Sequence, residues 1–162
     1  VYALNKNLPI TQQEVEDLAG HVIRHTPSSN NSQSARVVLL FGREHEALWE
    51  IVRETLRPLT EKDKWEKTDQ KVSGFQAAAG TALFFEDMAV IRALQKKLPL
   101  YKERFPDWSE HGSAMNQYRL WQLLAAAGAL RALSRAARAR VARLLGRAAR
   151  SAGTGTGRLR QV

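Results

Sequence analysis

A chain of 162 residues with 44% hydrophobic content is one domain's worth of protein, long enough to bury a sizeable core. It has no cysteine, which excludes disulfides and thiolate metal sites and fits a reducing compartment. The formal charge of +9 is unevenly placed: residues 125–162 hold 9 Arg and no Lys, Asp or Glu, leaving 16 basic against 16 acidic residues in 1–124. The body is formally neutral, so a nucleic-acid or other anionic partner concerns the tail alone. No apolar run approaches the roughly 18 residues of a membrane-spanning helix. The opening "VYALNKNLP" lacks a basic–apolar–small signal pattern, and a cytoplasmic location is expected. The chain starts at Val1 rather than Met, which predicts missing residues upstream.

Thr11 and Glu14 form a capping box, in which hydroxyl and carboxylate each satisfy an orphan N–H of a helix start. Val15, Leu18, Ala19, Val22 and Ile23 follow at helical spacing, predicting an amphipathic helix that ends near residues 25–27. A polar stretch, "TPSSNNSQS", then runs into a strand over 36–42. Leu48, Ile51, Val52 and Leu56 predict a second helix, stopped by Pro58. A charged stretch at 60–71 and a Gly/Ala-rich helix end lead into a second buried strand at 80–87, "GTALFFED". "AVIRALQKKL" is a short helix halted by Pro99, and 99–108 an aromatic loop. Ser109 is expected to cap a longer helix with Met115, Tyr118 and Leu124 inward. The pattern is a mixed α and β layer fold, α+β. Two legible strands are few for a self-sufficient sheet, so further strands are expected from missing termini or a partner.

The tail differs in kind. Residues 125–162 include 12 Ala, 9 Arg, 5 Leu and 5 Gly, and no aromatic residue. At roughly 100° per residue, Leu130, Leu133, Val141, Leu144 and Leu145 fall within an arc of about 120°, predicting a basic amphipathic helix over 129–150. Residues 151–162 read as a flexible tail.

Four collinear blocks carry a family resemblance: "YALNKNLPI" at 2–10, "HTPSSNNSQSARVVLLFG" at 25–42, "GTALFFED" at 80–87 and "PLYKERFPDWSEHGSAMNQY" at 99–118. Together they resemble the nitroreductase family, in the branch of the fungal fatty-acid-repression-mutant-type and similar bacterial proteins. The resemblance covers roughly residues 2 to 128, and the Pro-Ser-x-x-Asn-x-Gln-Ser core at 27–34 is its most specific element. It implies an α+β fold with a central mixed sheet flanked by helices, and a homodimer holding FMN at the interface. It also implies oxidation of NADH or NADPH and two-electron reduction of a small-molecule acceptor, a nitroaromatic or a quinone. Ser28, Asn31, Gln33 and Ser34 are then the expected flavin contacts. Lys71 is a further candidate, at the N1/O2 edge of the flavin, with a solvated charge as the plainer reading. The chemistry suits the residue types. An isoalloxazine edge offers both donors and acceptors, and amides answer both from one side chain. The hydride chemistry belongs to the cofactor, and no side-chain nucleophile or acid/base residue is implied.

The chain departs from the family at both ends. An Arg-Arg-Ser-like phosphate grip usually precedes the "YAL" block. A Gly-Leu-Gly strand, a loop over the flavin and a basic phosphate contact usually follow "LAAAG" at 124–128. Neither pattern is legible here, and residues 129–162 have the vocabulary of GC-rich DNA read out of frame. A frameshifted end is the expectation, and sequencing of the locus decides it. Asn30 stands where relatives often carry an aromatic residue. His21 and His25, spaced i, i+4, suit a helix terminus better than a metal, since no third ligand is evident. Tyr101, Phe105 and Trp108 suit a pocket wall or ordinary packing. Two other readings remain. One is a degenerate relative that dimerises without turnover. The other is a basic tail binding nucleic acid or an anionic membrane through salt-sensitive backbone contacts.

Overall fold

The computed structural model describes residues 4–129 and the backbone of 133–137. Five helices and three strands alternate: α1 (Gln12–His25), β1 (Ala35–Phe41), α2 (Gly42–Leu56), α3 (Lys62–Gln76), β2 (Gly80–Glu86), α4 (Met88–Lys97), α5 (Phe105–Ala126) and β3 (Leu133–Ala137). Short 3-10 turns occupy Ser29–Asn31, Arg57–Leu59 and Pro99–Arg104. The α+β class expected from the sequence is the class observed. Among the described residues the sheet has three strands in the order β1-β2-β3.

The β1 and β2 strands run antiparallel. The Asp87 N–H, just past β2, donates to the Ser34 carbonyl just before β1 at 2.8 Å. At the other end, a Cβ on Gly80 would lie 2.6 Å from Phe41 Cδ1 and 2.7 Å from the Leu40 carbonyl oxygen. Only glycine permits that approach of strand start to strand end. Contacts divide the described chain into two compact units whose boundaries fall within β1 and β2. In the first, α2 packs on α3 and buries Leu48, Trp49 and Val72. Arg53 joins the two helices, its Nε donating to Asp69 Oδ1 at 2.7 Å and its Nη2 to Gln76 Oε1 at 2.9 Å. In the second, α5 packs against α1, α4 and the 3-10 turn at 29–31, over Val15, Ala19, Val22, Ile91, Phe105, Leu120 and Leu124.

The capping box is present: Thr11 Oγ1 accepts from the Glu14 N–H at 3.1 Å, and Glu14 Oε2 accepts from the Thr11 N–H at 2.7 Å. The Thr11 N–H, and then the Thr11 hydroxyl donating to the same Oε2 at 2.8 Å, hold the Glu14 carboxyl below its ordinary range. Four expectations need correction. The α5 helix begins at Phe105, inside the stretch read as an aromatic loop, because Pro106 presets φ for a first turn. Ser109 is therefore no cap; its hydroxyl donates to the Pro106 carbonyl at 2.8 Å. Met115 and Tyr118 face outward, 43% and 54% exposed, while Leu124 is buried as expected. The buried stripe of α5 is Phe105, Ser109, Gly112, Asn116, Leu120 and Leu124. Its middle is small or polar, so apolarity alone points to the wrong face. In the tail, 133–137 form β3 where the periodicity predicts helix. Pairing satisfies the β2 edge, and that tertiary gain overrides a weak local preference. The remainder of 130–162 lies outside the described residues. Gly128, at φ 71°, ends α5 in a Schellman turn, with the Ala129 N–H donating to the Leu124 carbonyl at 2.8 Å.

Candidate functional site

Between α1 and β1 the chain makes an unusual loop. Thr26 ends the helix in an extended conformation, and Ser28 is extended too. Asn30, Asn31 and Gln33 then take φ values of 51°, 50° and 48°. Asparagine reaches the left-handed region with help from its short amide, but glutamine has no such excuse. Such residues cost roughly 1–3 kcal/mol each, and they persist where surrounding contacts over-determine them. The contacts here are specific. Ser28 Oγ accepts from the Gln33 N–H at 3.0 Å and the Ser28 carbonyl from the Asn31 N–H at 3.0 Å. Gln33 Nε2 donates to Asn31 Oδ1 at 3.1 Å, and Asn30 Nδ2 to Ser29 Oγ at 3.1 Å.

The loop therefore brings Ser28, Asn31 and Gln33 together, with both amides exposed. Ser34 differs. It is 2% exposed, and its hydroxyl donates to Glu86 Oε2 at 2.5 Å, turned toward the strand pair. Lys71 sits exposed on α3, in the other unit. Residues that the sequence reading passed over close the strand mouth. Arg36 Nη2 meets Asp87 Oδ2 at 3.0 Å, and its Nη1 donates to the Gln33 carbonyl at 2.9 Å. Burial pushes the Glu86 carboxyl above its ordinary range and Glu110 adds to this, while the Ser34 hydrogen bond and Arg36 oppose it. The available signal was the acid pair closing "GTALFFED", two carboxylates directly after a buried apolar run.

Two buried side-chain oxygens lack a hydrogen-bond partner among the described residues: Thr26 Oγ1 at the loop's start, and Asn116 Oδ1 on α5, the helix packed on the loop's 3-10 turn. The His21 and His25 rings lie 4.5 Å apart, and Arg119 Nη2 is 3.2 Å from His21 Nε2. Arg119 Nη1 also donates to the His25 carbonyl at 2.9 Å, so this cluster caps the end of α1. Desolvation, and then electrostatic repulsion from His25, Arg119 and Arg24, lower the His21 pKa. No group of three metal-ligating side chains occurs among the described residues. No described helix is long and apolar enough to cross a membrane.

An antiparallel strand pair entered through a polar, strained loop, with α5 packed on that loop's 3-10 turn, is an α+β arrangement. Solved structures bear out that fold. Nitroreductase CinD from Lactococcus lactis, in complex with chloramphenicol, aligns with a TM-score of 0.69 at 37% identity, over 79% of this chain and 64% of that one. A crystal structure of a nitroreductase from Saccharomyces cerevisiae aligns with a TM-score of 0.71 at 24% identity, over 79% of this chain and 70% of that one. The nitroreductase family profile matches residues 1–152, and the chain belongs to that family, whose membership supports an oxidoreductase role. The match continues past residue 128, where the resemblance by motif ends. The protein HBN1 of S. cerevisiae is 31% identical over 131 residues. Those residues are 79% of this chain and 64% of HBN1, so the chain spans under two thirds of that relative's length.

Proposed function

We propose that this chain works as part of an FMN-dependent NAD(P)H oxidoreductase that reduces nitroaromatics or quinones. The 28–34 loop carries the reading. Its two exposed amides and the Ser28 hydroxyl form a rigid set of donors and acceptors, which is what a flavin edge requires. The residues present fit that edge.

Bound FMN supplies two-electron hydride chemistry, taking reducing equivalents from a nicotinamide and giving them to an acceptor. The chain's own residues position it. Asn31 and Gln33 would hold the flavin through one donor–acceptor pair, and Gln33 Nε2 and Asn31 Oδ1 are already bonded to each other. The Gln33–Asn31 hydrogen bond pairs the two amides before any ligand arrives, which lowers the ordering entropy lost on binding. CinD has been solved with chloramphenicol and with 4-nitrophenol, both nitroaromatic, and with nicotinic acid, a pyridine like the nicotinamide ring. Those complexes support the acceptor class proposed here.

A second copy of the chain completes the assembly. The outward face of α5 carries Met115, Tyr118 and Trp121, each at least 43% exposed, and the Tyr118 and Trp121 rings lie 6.0 Å apart. Apolar surface of this kind marks an interface. Fluorescence titration of the apoprotein with FMN tests the site. Asn31→Ala and Gln33→Ala should each raise Kd about tenfold, one net hydrogen bond apiece. NADH should then bleach the bound flavin. Unchanged affinity in both variants sinks the assignment, and binding without bleaching identifies a relative that dimerises without turnover.

A further inference from the structure

We propose that Glu86 is a positioning residue, a half-buried carboxylate that fixes the 28–34 loop through the Ser34 hydroxyl. The inference rests on the reading that this loop lines FMN. The contacts within the loop are exposed: Gln33 to Ser28, Gln33 to Asn31 and Asn30 to Ser29 all compete with water. Exposed contacts of that kind offset only part of the strain of three left-handed non-glycine residues. The anchor lies where the loop enters β1. Ser34 is buried; its hydroxyl donates to Glu86 Oε2 at 2.5 Å and its carbonyl accepts from the Asp87 N–H at 2.8 Å. Ser32 reaches the same hydroxyl at 3.3 Å, and because Ser34 donates to Glu86, Ser32 is the donor to Ser34. One carboxylate thus orders two loop hydroxyls in series. Arg36 closes the other side, holding the Gln33 carbonyl and Asp87 together.

Glu86 is a costly way to satisfy one serine. Partial burial opposes its charge, Glu110 on α5 repels it, and among the described residues the Ser34 hydroxyl and Arg36 on β1 favour it. A glutamine would accept the same hydrogen bond without those costs. What a carboxylate adds is a charge-assisted bond, shorter and about twice as strong as a neutral one. That is the property needed to hold a strained loop.

The test compares the parent chain with Glu86→Ala, Ser34→Ala, the double variant and Glu86→Gln. Hydrogen exchange across residues 28–36, FMN Kd and the thermal midpoint are measured for each. The single alanine variants should speed loop exchange and raise Kd about tenfold, and the double variant should be no worse than either. Glu86→Gln, which keeps an acceptor, should recover most of the affinity and a share of the protection. Unchanged loop exchange in Glu86→Ala overturns the proposal, as does a double variant whose losses add. If Glu86→Ala does not fold, Ser34→Ala with Glu86→Gln decides it: a glutamine as damaging as the serine loss fails the proposal. If the parent chain binds no FMN, the flavin reading fails by itself. The exchange data still decide whether Glu86 holds the loop.

Discussion

Gln33 pays in strain for its place, with φ at 48° in a region that favours glycine. Gln33→Gly should therefore leave the protein equally or more stable, by up to about 1 kcal/mol, since relief of strain competes with the greater entropy of an unfolded glycine. The same change should weaken FMN binding, because the glycine carries no amide. Urea unfolding and an FMN titration on one sample check both halves, and a loss of stability above about 1 kcal/mol contradicts the strain assignment. His45 is the second residue with a consequence. It is 1% exposed, with Nε2 3.1 Å from the Gln76 carbonyl and Nδ1 2.7 Å from Thr81 Oγ1. A carbonyl only accepts, so Nε2 carries the proton and Nδ1 accepts from Thr81, whose oxygen accepts from Trp49 Nε1 at 3.0 Å. Burial lowers the His45 pKa from its ordinary 6.5. The unfolded chain then binds the proton first as pH falls. Stability is complete above about pH 6.5 and declines below it, toward the lower folded pKa. Urea midpoints at pH 7.5 and 5.5 should show the drop, and His45→Gln should flatten it; parallel losses in both proteins would clear His45. That Ser28, Asn31 and Gln33 share one loop is readable because they sit in one string. The Ser34–Glu86 bond spans 52 positions and the His45–Thr81 bond 36, and neither separation leaves a local pattern.

Elements whose signals are local were readable at their ends and faces. The α1 helix is announced by Thr11 and Glu14, and the box is present as written. Thr11→Ala should cost about 1 kcal/mol, measurable as a lower urea midpoint. Gly80 depends on a partner strand. Adding a Cβ there drives it into the Leu40 carbonyl, a backbone atom, and Gly80→Ala should cost about 1–3 kcal/mol. A thermal midpoint within a degree of the parent would show that the strands separate freely at that corner. What failed at this scale failed for one reason. The α5 helix is apolar on two sides, so periodicity could not choose between the stripe of Leu120 and Leu124 and that of Met115, Tyr118 and Trp121. In 133–137 a helical spacing of leucines lost to an unpaired sheet edge, which no window of sequence displays.

At the scale of the whole molecule, the outer face of α5 and the polar loop belong to one compact unit, and α5 packs on the loop's 3-10 turn. A second copy docked on Met115, Tyr118 and Trp121 therefore bears on the helix that supports the loop. Dimerisation and flavin binding should then be linked, each strengthening the other by the same factor. Apparent FMN affinity should rise with protein concentration through the range in which sedimentation shows monomer becoming dimer. Trp121→Glu places a charge on the apolar face while leaving the buried stripe of α5 untouched. It should give a folded monomer, judged by an unchanged thermal midpoint at low concentration, and FMN affinity at least tenfold weaker and independent of concentration. A Trp121→Glu protein that still sediments as a dimer moves the interface elsewhere. A monomeric variant that keeps full affinity places the whole flavin site within one chain.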